Sequence, residues 1–366
     1  MPVTKKNILV YRIGSLGDTI IALPVFHKVR EAFPDANITL LTNRPIESKA
    51  APLETVLGSG YFFDSIINYP IGTRNPVVLF ALLKQIRKLK IDIVINLATT
   101  RVLETVSKTR RAVFRDKWFF RAAGIKEFIG FPSIKEDFEL SIDPITNEIE
   151  WETKRLARRL NKLGSIDLED DRYWDMRFTA DELLKASEAL RVISHNDKPI
   201  IAACAGTKMP SKDWETDNWL NLIKQLKLIY IDWNLVMVGA PEESERADRC
   251  IEAWAGPGVN LCGKTSPRVS GAVLKQANIF IGHDSGPMHL AACVGTPVVA
   301  IYSARNIPRQ WYPRGNLNKI IYHKTDCAGC VLEICIAQKK KCILSITVEE
   351  VKAAITQILA DRKMLN

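Results

Sequence analysis

The segment GHDSGPMH (282–289) places a carboxylate, a hydroxyl and an imidazole where an apolar run stops and a helix begins. Asp284 or Ser285 can cap that helix, Gly286 admits a ligand close to the backbone, and Pro287 suits the first turn. Free N–H groups and the helix dipole favour an anion there, and a pyrophosphate is the natural guest. Serine hydrolysis fits poorly. Position 287 is Pro, so Ser285 lacks the G-x-S-x-G frame, and His289 lies one helical turn away rather than in a triad.

Three further stretches have the same form, a strand that ends on small residues before a helix. IGSLGD (13–18) carries Gly14, Ser15 and Gly17, and puts Asp18 in a first helical turn, where it could cap the helix or act as a general base. Its G-x-x-G spacing fails the dinucleotide fingerprint, which disfavours an oxidoreductase. AGTKMPSKDW (205–214) offers Thr207 and Lys212 to a phosphate, with Thr216 or Asp217 capping the helix beyond. VGAPEESE (238–245) offers Glu242, Glu243 and Glu245, which could accept from a ribose or sugar or could simply suit a helix N-terminus.

The elements that must position these residues alternate. Strands are expected at 7–13, 37–43, 62–70, 91–98, 198–206 and 233–240, and helices at 19–33, 75–90, 149–163, 244–255, 269–277 and 347–365. That order predicts an α/β protein with parallel sheets in two halves, as 366 residues allow. The polar, acidic stretch 161–176 is the natural linker. Residues 101–128 read as helix and loop rather than core sheet. They hold eight Lys/Arg against three acids, with Trp118, Phe119 and Phe120 between them.

The net charge of +10 suits an anionic partner, and no apolar run reaches the roughly 20 residues that span a bilayer. The first apolar run is short and β-branched and ends on glycines, so it reads as a strand rather than a signal peptide, and a cytoplasmic protein is expected. No nucleic-acid-binding module accompanies the basic segment. Cys204, Cys250, Cys262 and Cys293 read as core fillers. Cys327, Cys330, Cys335 and Cys342 form C-x₂-C-x₄-C-x₆-C, which could hold Zn or Fe, with Lys339, Lys340 and Lys341 favouring thiolates. Reduced structural thiols are the alternative.

Taken in order, IGSLGDTIIALPV, AGTKMPSKDW, VGAPEESE and HDSGPMHLAACVGTPVVAIY resemble the signatures of glycosyltransferase family 9, the ADP-heptose:lipopolysaccharide heptosyltransferases. The resemblance implies a GT-B fold, two Rossmann-like domains facing a central cleft. An acceptor domain would span 1–160, a linker region 161–197 and a nucleotide-sugar domain 198–345, with the helix 346–366 packing back toward the first domain. It implies inverting transfer of heptose from ADP-heptose, with no cofactor required. Asp18 would deprotonate the acceptor, Thr207 and Lys212 would hold the diphosphate, Asp284, Ser285, Gly286 and His289 the donor's phosphates and sugar, and Glu243 the ribose. Similar cysteines recur in the family, and one branch resembling it binds iron through them. The basic, aromatic segment, with Arg101, Arg110, Arg111 and Arg115, suits an anionic glycolipid acceptor at the inner membrane's cytoplasmic face. The alternatives are another nucleotide sugar or surface-polysaccharide acceptor, or a nucleotide-binding scaffold without turnover, against which Asp18 argues.

Overall fold

A computed structural model describes residues 5–43, 51–70, 72–98, 106–139, 142–193 and 198–365. The chain divides into two units, 1–175 and 176–366. The division falls inside the expected linker region.

The first unit runs β1 (Asn7–Tyr11), α1 (Leu16–Ile20), α2 (Leu23–Ala32), β2 (Asn37–Asn43), α3 (Leu53–Leu57), β3 (Ser65–Tyr69), α4 (Pro76–Lys88), β4 (Ile93–Asn96), α5 (Val106–Ala122), β5 (Glu127–Ile129), α6 (Lys135–Phe138) and α7 (Glu152–Arg159). Its five strands lie in the order β3-β2-β1-β4-β5, all parallel. Central β1 is apolar and almost wholly buried, as a strand covered on both faces must be. The helix expected at 19–33 is two helices, because Pro24 cannot continue the i→i−4 ladder and instead opens α2. Segment 101–128 is not wholly outside the sheet: Glu127 and Phe128 pair with β4 as an edge strand. Three residues carry too little pattern to announce a strand.

The second unit runs α8 (Ala180–Leu190), β6 (Ile200–Cys204), α9 (Thr216–Ile229), β7 (Asn234–Met237), α10 (Ser244–Trp254), β8 (Gly258–Asn260), α11 (Pro267–Leu274), β9 (Ile279–His283), α12 (Gly286–Cys293), β10 (Val298–Tyr302), β11 (Lys319–Tyr322), α13 (Lys341–Leu344) and α14 (Val348–Leu365). Its strand order is β11-β10-β9-β6-β7-β8, again all parallel. The order reverses between β6 and β9, and open α/β sheets bind ligands beyond the carboxyl ends of strands at such a switch point. Val348, Val351, Ile355 and Ile358 of α14 join the core that contains Ile201, Ile279, Ile281, Val299 and Ile301. The C-terminal helix is therefore part of the core of the second unit.

Candidate functional site

In the first unit, Asp18 folds back on the loop before its own helix. Its Oδ2 accepts from the Ser15 backbone N–H at 2.8 Å and from Ser15 Oγ at 2.7 Å. Among the described residues no donor is bonded to Oδ1 (Oδ2 takes both bonds), and the side chain is partly exposed. A Cβ on residue 14 would lie 2.5 Å from Asp18 Cβ, so the first glycine of the motif is there to admit this carboxylate. Behind the loop, Arg12 is fully buried, and its guanidinium donates to the carbonyls of Asp18 and Leu97. Burial lowers its pKa, and the charge of Asp18 opposes that shift. Sequence reasoning missed Arg12, since a basic residue at a strand end reads as surface.

More arginines lie inside this unit. Arg155 and Glu152 form a fully buried two-point pair at 2.8 and 2.6 Å. Arg159 donates to the carbonyls of Gly130, Ala98 and Asn96 at 2.7, 2.8 and 3.1 Å, tying together the chain beyond β4 and β5. Burial, with Arg155 adding, pulls its pKa down to about 9. Of the residues expected to meet an acceptor, Arg110 and Arg111 are exposed on α5, and Arg110 lies over the Phe138 ring. Arg115 is paired with Asp116 at 2.9 and 2.8 Å. Arg101 lies outside the described residues.

In the second unit the predicted donor residues gather at the carboxyl edge of the sheet. Lys212, on the loop after β6, donates to the carbonyl of Asp284 at 3.0 Å and to its Oδ2 at 2.5 Å. Ser285 is the N-cap residue of α12, with Pro287 in the first turn. Its Oγ is buried without a protein partner among the described residues. Gly286 opens the helix, and His289 is buried on its second turn. Thr207 Oγ1 accepts weakly from the Met209 N–H at 3.5 Å. The helix after this loop is not capped as expected: Glu215, at φ 72°, takes the N-cap position, and neither Thr216 nor Asp217 does.

Glu243 lies over two strand ends. A Cβ at Gly206 would fall 2.1 Å from its Cδ, and one at Gly239 would fall 2.2 Å from Oε2. Oε2 accepts from the Ala240 N–H at 2.8 Å. Burial raises its pKa, the Ala240 bond opposes this, and Glu242 adds to the rise. Burial, with Glu243 nearby, pushes the Cys262 thiol up to about 12. Glu242 and Glu245 are exposed, so of the three acids only Glu243 is drawn in over the strand ends.

The support beneath this edge was not legible beforehand. His283, fully buried at the end of β9, accepts from the Trp214 N–H at 3.1 Å, and its Nδ1 lies 3.0 Å from the Gly206 carbonyl. Trp214 N–H as donor fixes Nδ1 as the protonated nitrogen. Burial draws the imidazole pKa down to about 4. Arg246 bonds the Ala205 carbonyl at 2.9 Å and both oxygens of Asp213, at 2.7 and 3.0 Å. Burial pushes the Asp213 carboxyl up, but Arg246 outweighs it and holds the pKa low.

The four cysteines of the C-terminal segment lie in different surroundings. Cys327 and Cys335 are half-buried, Cys330 is exposed, and Cys342 points into the core from α13. Among the described residues no three His, Cys, Asp or Glu side chains converge to hold a metal ion, so of the two readings of these thiols the metal one finds no support. Lys340 binds Glu215 and the Asp213 carbonyl, and Lys341 lies 3.6 Å from Asp326. Instead the segment straps two loops. Ser211 donates to the carbonyls of Leu332 and Glu333 at 2.7 and 3.0 Å. Arg305, beyond β10, donates to those of Leu332 and Val331 at 2.9 and 2.6 Å. The loop bearing Lys212 and the loop after β10 are thereby held by one stretch of backbone.

Two Rossmann-like parallel sheets, the second with an anion-suited helix start at its switch point, are those of a GT-B fold. The chain belongs to glycosyltransferase family 9 (heptosyltransferase), whose model matches residues 79–341. It is 25% identical to lipopolysaccharide heptosyltransferase 3 of Escherichia coli K12, over 94% of this chain and 96% of that one. It is 21% identical to the lipopolysaccharide core heptosyltransferase OpsX of Haemophilus influenzae, over 86% and 84%. Among solved structures it resembles the family 9 glycosyltransferase of Veillonella parvula (TM-score 0.69, 19% identity, 99% of both chains). It also resembles E. coli WaaC with ADP-2-deoxy-2-fluoro heptose (TM-score 0.60, 17% identity, 96% and 99%). No described helix is long and apolar enough to cross a membrane.

Proposed function

We propose that this protein transfers heptose from ADP-heptose to an anionic, lipopolysaccharide-type glycolipid at a membrane face, with inversion and without a catalytic metal. The observation that carries the donor half is the Lys212–Asp284 pair at the start of α12, beside the unpartnered Ser285 hydroxyl. Lys212 and the N–H groups of α12 would bind the diphosphate and neutralise the charge that develops as it leaves, a role a metal ion fills elsewhere. Ser285, Gly286, His289 and Thr207 would line the phosphates and sugar. Glu243 would accept from the ribose through Oε1, since Oε2 is engaged by Ala240.

Asp18 would take the proton from the acceptor hydroxyl. The acceptor oxygen then bonds to the anomeric carbon from the face opposite the diphosphate, and ADP departs with the electrons of the broken C–O bond. The relatives named for lipopolysaccharide heptosyl transfer support the acceptor class, and E. coli WaaC with an ADP-heptose analogue supports the donor. Arg110 and Arg111 are the candidates for acceptor charge, and the domain roles assigned above remain part of this reading.

Calorimetric titration with ADP, UDP and GDP, without added metal, is the test. ADP preference followed by turnover of ADP-heptose supports the reading. A UDP or GDP preference replaces the donor, and the absence of nucleotide binding removes the transferase function.

A further inference from the structure

One backbone oxygen joins the two loops that flank the start of α12. The Leu332 carbonyl accepts from Ser211 Oγ at 2.7 Å and from Arg305 Nε at 2.9 Å. Ser211 directly precedes Lys212, and the Lys212 ammonium holds Asp284. Arg305 also donates to the Val331 carbonyl at 2.6 Å and to Asn306 Oδ1 at 3.1 Å, and its own carbonyl accepts from the Val331 N–H at 2.9 Å. The side chain is buried, which lowers its pKa, and the charge of Asp284 is the largest influence against that shift. Bonds and charges thus close a ring that runs Asp284, Lys212, Ser211, Leu332, Arg305 and back to Asp284. The backbone within it is strained. Val331 sits at φ 56°, in the left-handed region that a β-branched residue avoids. Such a conformation persists only where its surroundings over-determine it, and it gathers at binding sites. Here the N–H and the carbonyl of Val331 both bond to Arg305.

We infer that Arg305 is a positioning residue of the donor site: through the Leu332 carbonyl and Ser211 it fixes where Lys212 presents its ammonium to the donor's diphosphate. Its Nε, Nη1 and Nη2 are each engaged, by Leu332, Asn306 and Val331, so it acts through Lys212 rather than on the phosphates. An arginine suits this place because its planar fork can bond two successive carbonyls at once. Lys212 gains what its own flexible stem lacks, a loop held still before the ligand arrives, so that less freedom is lost on binding. The residues that Arg305 and Ser211 grip, Val331, Leu332 and Glu333, lie between Cys330 and Cys335, which gives the spacer of the cysteine motif a part in the donor site. The inference deepens the proposed function and rests on its assignment of Lys212 to the diphosphate.

The test is a double-mutant cycle on the full chain, read by calorimetric titration with ADP. Arg305→Met should weaken ADP binding by about fivefold or more, and Ser211→Ala, which loses a single bond, by about threefold. On a Lys212→Ala background each change should alter ADP affinity by less than about twofold, because the group they position is gone. A merely structural part, or a direct contact of Arg305 with the phosphates, would instead multiply with the loss from Lys212→Ala. Arg305→Lys keeps a donor for the Leu332 carbonyl and should recover part of the affinity. Ser211→Ala decides the matter should Arg305→Met fail to fold. Unchanged ADP affinity in the single variants, or losses that multiply in full with Lys212→Ala, would overturn the inference and leave the donor reading standing. Absence of ADP binding by the natural protein would overturn both.

Discussion

Lys212 Nζ is bonded to both the carbonyl and the carboxylate of Asp284, at 3.0 and 2.5 Å, so each charge at the start of α12 is held by the other. An ammonium in that position still has one proton to give. A diphosphate arriving at the helix N-terminus would meet a cation already fixed in place by Asp284, with little side-chain entropy left to lose.

Lys212→Ala should therefore weaken ADP binding by about 10- to 100-fold, the worth of a charge-assisted hydrogen bond. Calorimetry decides it, and unchanged ADP affinity would take Lys212 out of the site.

Asp18→Asn keeps the shape and an acceptor oxygen toward Ser15 but removes the base. Turnover should fall by about 10²- to 10⁴-fold while ADP affinity stays within about twofold. Full activity in this variant would remove Asp18 from the proton transfer.

Arg12 is a positioning residue for that carboxylate, because it holds the Asp18 backbone rather than the side chain. Arg12→Met would strand the buried carbonyls of Asp18 and Leu97, at a cost of about 2–4 kcal/mol in the first unit. Arg12→Lys can still reach one carbonyl and should recover part of kcat. Equal kcat in the Met and Lys variants would leave Arg12 with a purely structural part.

His283 gives the second unit a pH dependence of definite sign. Its folded pKa, about 4, lies below the ordinary 6.5. Between those values the unfolded chain binds a proton that the folded one refuses, so this contribution is complete above pH 6.5 and drains away toward pH 4. The loss is ~3 kcal/mol at most. Urea midpoints at pH 7.5 and 5 should separate more in the natural protein than in His283→Asn; equal separations would contradict it.

The four glycine-bearing stretches that the sequence offered lie at the carboxyl edges of strands, because glycine-rich strand ends and capping residues act locally and are written in adjacent positions. Lys212 and Asp284 were readable for that reason. What escaped was set by partners far away in the chain. Arg155, Arg159 and Arg12 read as surface charge, and only Glu152 and the carbonyls beyond β4 and β5 explain why they are inside. His283 was passed over beside Asp284 although it joins β9 to Trp214 and Gly206. The cysteine spacing left a metal or reduced thiols open, whereas the segment's hold on two loops is carried by its backbone carbonyls, which no side-chain motif announces.

The place of α14 bears on how the protein is made. Its apolar face completes the same core as β10 and as β6 and β9, the two strands followed by Lys212 and by Asp284 and Ser285. The first unit can fold as soon as its 175 residues have left the ribosome, since domains fold in turn during synthesis. The second unit lacks a wall of its core until α14 has been synthesised and has left the ribosome. The donor site consequently matures after the first unit, and a message cut before α14 yields a folded first unit attached to an unfinished second one.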